Sequence, residues 1–172
     1  MSDINKSSPD KPKKRARYVY TMWTTVAELG DIESLINHHA FIIKNNGGTI
    51  VSYKFINFGV SPIYMLTMFI YEIDADKGSI SEKTFNKQKN IPFTANGNSG
   101  NRYVHIIKTT VDIRKQLFTD INASIDKIVS EGGKVINIEE HKIGISPMYL
   151  LSVIIYETAY KPVDFESDNK ED

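Results

Sequence analysis

The chain contains no cysteine, which excludes disulfides, thiolate zinc sites and a cysteine nucleophile. It has a single tryptophan, Trp23. No stretch approaches the roughly 18 uninterrupted apolar residues that a membrane-spanning helix requires, so no membrane partner is expected. There is no excess charge of either sign: 21 basic residues balance 21 acidic ones. That balance excludes a wholesale nucleic-acid footprint and leaves room only for a local basic patch. The N-terminus is polar and basic without an apolar segment behind it, so no secretory signal is expected and a cytoplasmic location is. What is present is 172 residues, 41% of them hydrophobic, enough for a substantial core.

The dominant feature is an internal repeat. Residues 17–72 align with residues 102–157 at a constant offset of 85, without a gap. Identical pairs include Arg17/Arg102, Val19/Val104, Thr24/Thr109, Thr25/Thr110, Asn37/Asn122, Gly47/Gly132, Gly48/Gly133, Tyr64/Tyr149 and Glu72/Glu157. Each unit reads as strand, helix, strand, strand. Tyr18–Thr25 and Tyr103–Thr110 carry the β-branched and aromatic residues of strands. Ile32, Ile36, Ala40 and Ile43, matched by Leu117, Ile121, Ile125 and Ile128, recur at helical spacing. Asp31 and Asp112 are candidate helix caps, and each Gly-Gly pair supplies a helix stop. Ile50–Phe58 and Val135–Ile143 follow as second strands, and a Gly-x-Ser-Pro turn leads into Tyr64–Glu72 and Tyr149–Glu157.

The expected fold class is therefore α+β: two βαββ repeats forming a pseudo-twofold dimer, with antiparallel sheets and one helix per repeat. The expected organisation is a disordered basic tail (1–16), repeat one (17–72), a polar linker (73–101), repeat two (102–157) and an acidic tail (158–172). One helix covers only one face of a three-stranded sheet, yet the third strands are apolar on both faces. The helix-free faces, taken to carry Phe69, Tyr71, Ile154 and Tyr156, are expected to pack on each other or on another subunit. The copies differ where Trp23, Phe41, Tyr53 and Phe55 align with Lys108, Asp126, Ile138 and Glu140. Such aromatics suit either burial of a larger surface by copy one or stacking on a ligand.

Candidate chemistry is sparse. Thr24-Thr25 and Thr109-Thr110 end first strands and lead toward helix N-termini, a setting suited to phosphate, although β-propensity alone accounts for them. Ser61 and Tyr64, with Ser146 and Tyr149, belong to the duplicated turn, which glycine and proline explain structurally and which also makes two rim loops. No Walker or dinucleotide fingerprint accompanies them, and Gly-x-Ser here lacks the second glycine of a nucleophile elbow. The histidines share no duplicated carboxylate constellation, and adjacent His38 and His39 diverge on a helix, so no metal or other cofactor is expected. Glu72 and Glu157 are duplicated strand-end acids, read as solubilising charge or as a symmetric carboxylate pair. Lys11, Lys13, Lys14 and Arg15 form a short basic run that serves as an import signal, a nucleic-acid arm or a solubilising tail.

The unit, with its "Thr-Thr … Ile-Asn … Ile-Tyr-Glu" skeleton closing on Ile70-Tyr71-Glu72 and Ile155-Tyr156-Glu157, resembles the small βαββ proteins of bacteria and their phages, including dodecin-like and sporulation-associated families. The resemblance implies a non-catalytic, oligomeric binder that holds aromatic ligands between subunits. Flavin binding does not carry over, because Trp23 pairs with Lys108. The reading at this point is a non-enzymatic protein, expected to homo-oligomerise and to bind a small anionic, nucleotide-like ligand. A near-symmetric cyclic dinucleotide held by a phage-type sponge is one version. Thr24, Thr25, Thr109 and Thr110 would hold phosphates, and Trp23, Tyr64 and Tyr149 would stack. The alternatives are a protein-interaction or assembly module and a nucleic-acid binder using the basic arm.

Overall fold

A computed structural model describes residues 13–25, 29–58, 64–88, 100–110, 114–143, 149–159 and 161–165. The order is β1 (Arg15–Thr25), α1 (Leu29–Asn45), β2 (Thr49–Phe58), β3 (Tyr64–Asp74), a 3-10 turn (Ala75–Lys77), α2 (Glu82–Lys87), β4 (Asn101–Thr110), α3 (Arg114–Ser130), β5 (Lys134–Ile143) and β6 (Tyr149–Thr158). The class is α+β, with two antiparallel three-stranded sheets and three helices among the described residues. Sheet A runs β1-β3-β2 and sheet B runs β4-β6-β5, so β1 and β4 are edge strands. They stand in matching register: Arg17 faces Glu72 and Val19 faces Ile70 in sheet A, while Arg102 faces Glu157 and Val104 faces Ile155 in sheet B.

The glycine stops act as their position demands. Gly47 and Gly132 take φ of 84° and 78°. The next amides, of Gly48 and Gly133, then reach back to the carbonyls of Ile43 and Ile128 at 2.9 and 2.8 Å. Asp31, expected as a cap, lies inside the first turn of α1, where its charge suits the helix dipole. Asp112 falls outside the described residues.

Three segments differ from the sequence expectation. β1 begins at Arg15, inside the stretch read as a disordered tail, because the Arg15 guanidinium donates to Thr49 Oγ1 and to the Glu72 carbonyl. The polar linker holds α2, capped by Ser81, whose hydroxyl accepts from the Thr84 amide. That short helix exists to deliver Phe85, which stacks at 3.7 Å on Tyr20 and at 5.5 Å on His39. The start of the acidic tail is also anchored: Val163 is buried, its amide donates to Tyr156 Oη, and Phe165 stacks on His105 at 3.5 Å. The Ile80 amide donates to Tyr71 Oη in the same manner, so each third strand is followed by a segment that caps its tyrosine and stacks a phenylalanine on the adjoining edge strand.

The faces of the sheets also fall differently. Phe69 and Tyr71 lie on the helix-covered side, since the His39 ring of α1 sits 5.9 Å from Phe69 and Ile43 and Tyr71 converge beside Gly48. Tyr156 and Ile154 lie two and four residues before Thr158, on the same face of β6, and Thr158 borders Gly133 at the end of α3, so they belong to the covered side of sheet B. The opposite, helix-free faces are not packed on each other. That of sheet B is sealed, with Val104, Leu151, Val153 and Ile155 all buried. That of sheet A is open at Val19, Trp23, Ile56 and Tyr64. The reason is that α1 and β2 lie along β4, so the helix side of the first half shelters the second half.

Candidate functional site

The junction between the halves is a side-chain grip on an edge strand. Asn37 projects from the buried stripe of α1 and is 3% exposed. Its amide nitrogen donates to the Val104 carbonyl at 2.8 Å, and its Oδ1 accepts from the Val104 amide at 2.7 Å. One helical turn earlier, the Glu33 carboxylate accepts from the Ile106 amide at 2.9 Å and lies 3.0 Å from His105 Nδ1. At the other end, Asn101 donates to the Ala40 carbonyl, closing α1 onto the start of β4. From β2, Tyr53 Oη donates to the Arg102 carbonyl and the Arg102 guanidinium donates to the Val51 carbonyl. An edge strand exposes unpaired backbone groups, and these contacts cover them. Burial pushes the Tyr53 hydroxyl well above its ordinary pKa, the neighbouring tyrosines Tyr103 and Tyr156 adding to the effect, so the group stays a donor. Phe55 meets His141 of sheet B edge-on at 5.5 Å. The aromatic excess of the first copy is thereby accounted for at Tyr53 and Phe55, which are buried toward the second half.

The residues expected to bind a ligand divide sharply. Trp23, Thr25 and Tyr64 share the open face of sheet A: Thr25 stands opposite Tyr64, and Trp23 opposite Leu66. Phe58, opposite Tyr64 on the other side, lies 5.3 Å from the Trp23 ring. Trp23 is 60% exposed. Lys54 is exposed on the same face, opposite Met68 and two residues along β2 from Ile56. Thr24 points the other way, is buried, and its hydroxyl sits 3.4 Å from the Met65 carbonyl. It does not form part of a phosphate cradle on the open face.

In sheet B, Lys108 replaces the tryptophan and its ammonium lies 4.4 Å above the Tyr149 ring. Thr109 is half-buried on the covered side, and Thr110 stands opposite Tyr149. Ser61 and Ser146, and the turns that hold them, lie outside the described residues. Glu72 and Glu157 form no carboxylate pair. Each faces its own arginine, Arg17 at 2.6 Å and Arg102 at 3.7 Å.

Sequence reasoning missed Asn37, Glu33 and His105 as a set. One signal was legible: Asn37 and Asn122 are identical polar residues beside the apolar stripe of both helices. Among the described residues, no three His, Asp or Glu side chains converge as a metal site, and no helix is long and apolar enough to cross a membrane. Compared with family models, curated proteins and solved structures, the chain matches none.

Proposed function

We propose that the chain is a non-enzymatic interaction module made of a tandem βαββ repeat, in which the open face of sheet A and the β1 edge form a docking surface for protein. One observation carries this reading: sequence-equivalent faces are buried unequally. Val104 is fully buried, whereas its equivalent Val19 is 53% exposed, and the sealed Leu151, Val153 and Ile155 correspond to half-exposed Leu66, Met68 and Ile70. At roughly 25 cal/mol per Å² of apolar area, leaving such a face in water forfeits several kcal/mol that a docked surface recovers. The halves meet head to tail in this reading, not about a twofold axis, because a twofold would give Val19 and Val104 like surroundings. Mass in solution tests it. The particle should exceed the 19.5 kDa of one chain, and Val19→Asp should reduce its mass without changing the far-ultraviolet circular dichroism. A wild-type monomer, or a larger particle indifferent to Val19→Asp, contradicts it.

A second reading is favoured by the exposed cluster of Trp23, Phe58 and Tyr64 beside Lys54. Stacking surfaces next to a cation suit a small anionic aromatic ligand of nucleotide type, at the rim of the docking surface. Trp23 is the only tryptophan, so nucleotide titration should quench its fluorescence, and Trp23→Phe with Lys54→Ala should abolish stabilisation by the same nucleotide in thermal shift. Unchanged melting temperature with mono-, di- and cyclic nucleotides contradicts it. The basic residues Lys13 and Lys14 precede β1 and support a nucleic-acid arm only through their charge.

A further inference from the structure

Resting on the docking reading above, we infer that the occupant of the β1 edge is a second copy of this chain, which seats its α3 and β5 there as α1 and β2 seat on β4. The internal junction has two sides, a gripping side on the first half and a gripped edge on the second. The 85-residue offset places a second gripping side on α3–β5 and a second gripped edge on β1. Both are uncovered.

On the gripping side, Asn37 corresponds to Asn122, the same carboxamide at the same helical position, now exposed. Tyr53 and Val51 correspond to Ile138 and Ile136, apolar residues left exposed on β5. On the gripped side, Val104 corresponds to Val19. Because β1 lies on β3 in the register of β4 on β6, the amide and carbonyl of Val19 face outward as those of Val104 do. Arg102, which reaches the Val51 carbonyl, corresponds to Arg17, exposed and held by Glu72 in the same way.

One pair has changed on both sides together. The Glu33–His105 contact becomes Phe118 and Tyr20, an acid–imidazole pair exchanged for two aromatic rings. Phe118 is 67% exposed on a helix, a costly place for phenyl unless something covers it. A partner unrelated to this chain gives no reason for the open surfaces to retain both members of the internal contact set. Such a contact joins different patches of two copies, so it propagates and closes into a ring when the rotation allows.

The absence of native cysteine makes the test clean. Val19→Cys and Asn122→Cys chains are mixed and treated with a short bismaleimide. Covalent dimers are expected from the mixture and not from either variant alone. Asn122→Ala and Phe118→Glu, both at exposed positions, should lower the particle to monomer mass with unchanged circular dichroism. A particle that Val19→Asp dissociates but Asn122→Ala and Phe118→Glu leave intact overturns the inference and keeps the docking reading. Cross-linking of Val19→Cys to itself does the same, since it marks a twofold contact. A wild-type monomer overturns both.

Discussion

Replacing Asn37 by alanine should cost the protein a large share of its stability, and the equivalent Asn122→Ala should not. Asn37 satisfies both backbone groups of Val104 with bonds of 2.8 and 2.7 Å at a position that water does not reach. Alanine leaves an amide and a carbonyl of a buried edge strand without partners. An orphaned buried group costs about 1–3 kcal/mol, so the pair amounts to about 2–6 kcal/mol. That is a sizeable fraction of the roughly 5–15 kcal/mol by which a domain is held folded. The assay is urea denaturation followed by circular dichroism, at two protein concentrations. The loss in Asn37→Ala should be the same at both, because the contact is within one chain. Any loss in Asn122→Ala should shrink on dilution, because that side chain is exposed within the chain and, in the proposed assembly, acts only between copies. An Asn37→Ala variant within about 0.5 kcal/mol of wild type, the range of an ordinary surface change, refutes the reasoning.

Thr67 and Ser152, equivalent residues on the central strands, are buried with hydroxyls that lack a hydrogen-bond partner among the described residues. Thr67→Val and Ser152→Ala should therefore each raise the unfolding free energy measured by chemical denaturation by about 1 kcal/mol; a loss of that size in either would show that its hydroxyl is bonded. Phe85→Ala should cost about 3–5 kcal/mol by opening a cavity between Tyr20 and His39, measured by chemical denaturation, and a cost below about 1 kcal/mol would mean that α2 is not packed. Alkaline pH should unfold the protein. Burial raises the hydroxyl pKa of Tyr53, Tyr103 and Tyr156 above the ordinary value of 10.0. The folded chain then keeps its tyrosine protons while the unfolded chain releases them. The stability that these groups hold is complete below pH 10 and falls above it, by up to about 1.4 kcal/mol per pH unit for each tyrosine. A denaturation midpoint flat from pH 9 to pH 11 would contradict this.

Much of the fold was legible from periodicity and punctuation. Glycine pairs ended the helices where only positive φ could, and alternation marked the strands. Which side of each sheet the helix covers was not legible. When Met65, Phe69 and Tyr71 alternate with Leu66, Met68 and Ile70, both faces read as apolar, and only packing chooses between them. The linker helix was hidden because its polar residues bury a single apolar anchor, Phe85, and that anchor acts through tertiary stacking rather than pattern. The acidic tail hid Phe165 for the same reason. Of the ligand residues, Trp23, Thr25 and Tyr64 do share one open face. The twin threonines, however, were read as one feature, although neighbours in a strand point to opposite sides. Asn37 was visible as an identity between copies, yet its role depends on an edge strand 67 residues away.

Backbone amide hydrogen exchange, read at Val19 and Thr21 against Val104 and Ile106, tests the central claim most directly. The Val104 and Ile106 amides, bound by Asn37 and Glu33, should exchange slowly in every preparation. The Val19 and Thr21 amides should be protected in the wild-type particle and exchange freely once Asn122→Ala or Phe118→Glu is introduced. Free exchange at Val19 and Thr21 in the wild-type particle, or protection there that survives both substitutions, would contradict the account.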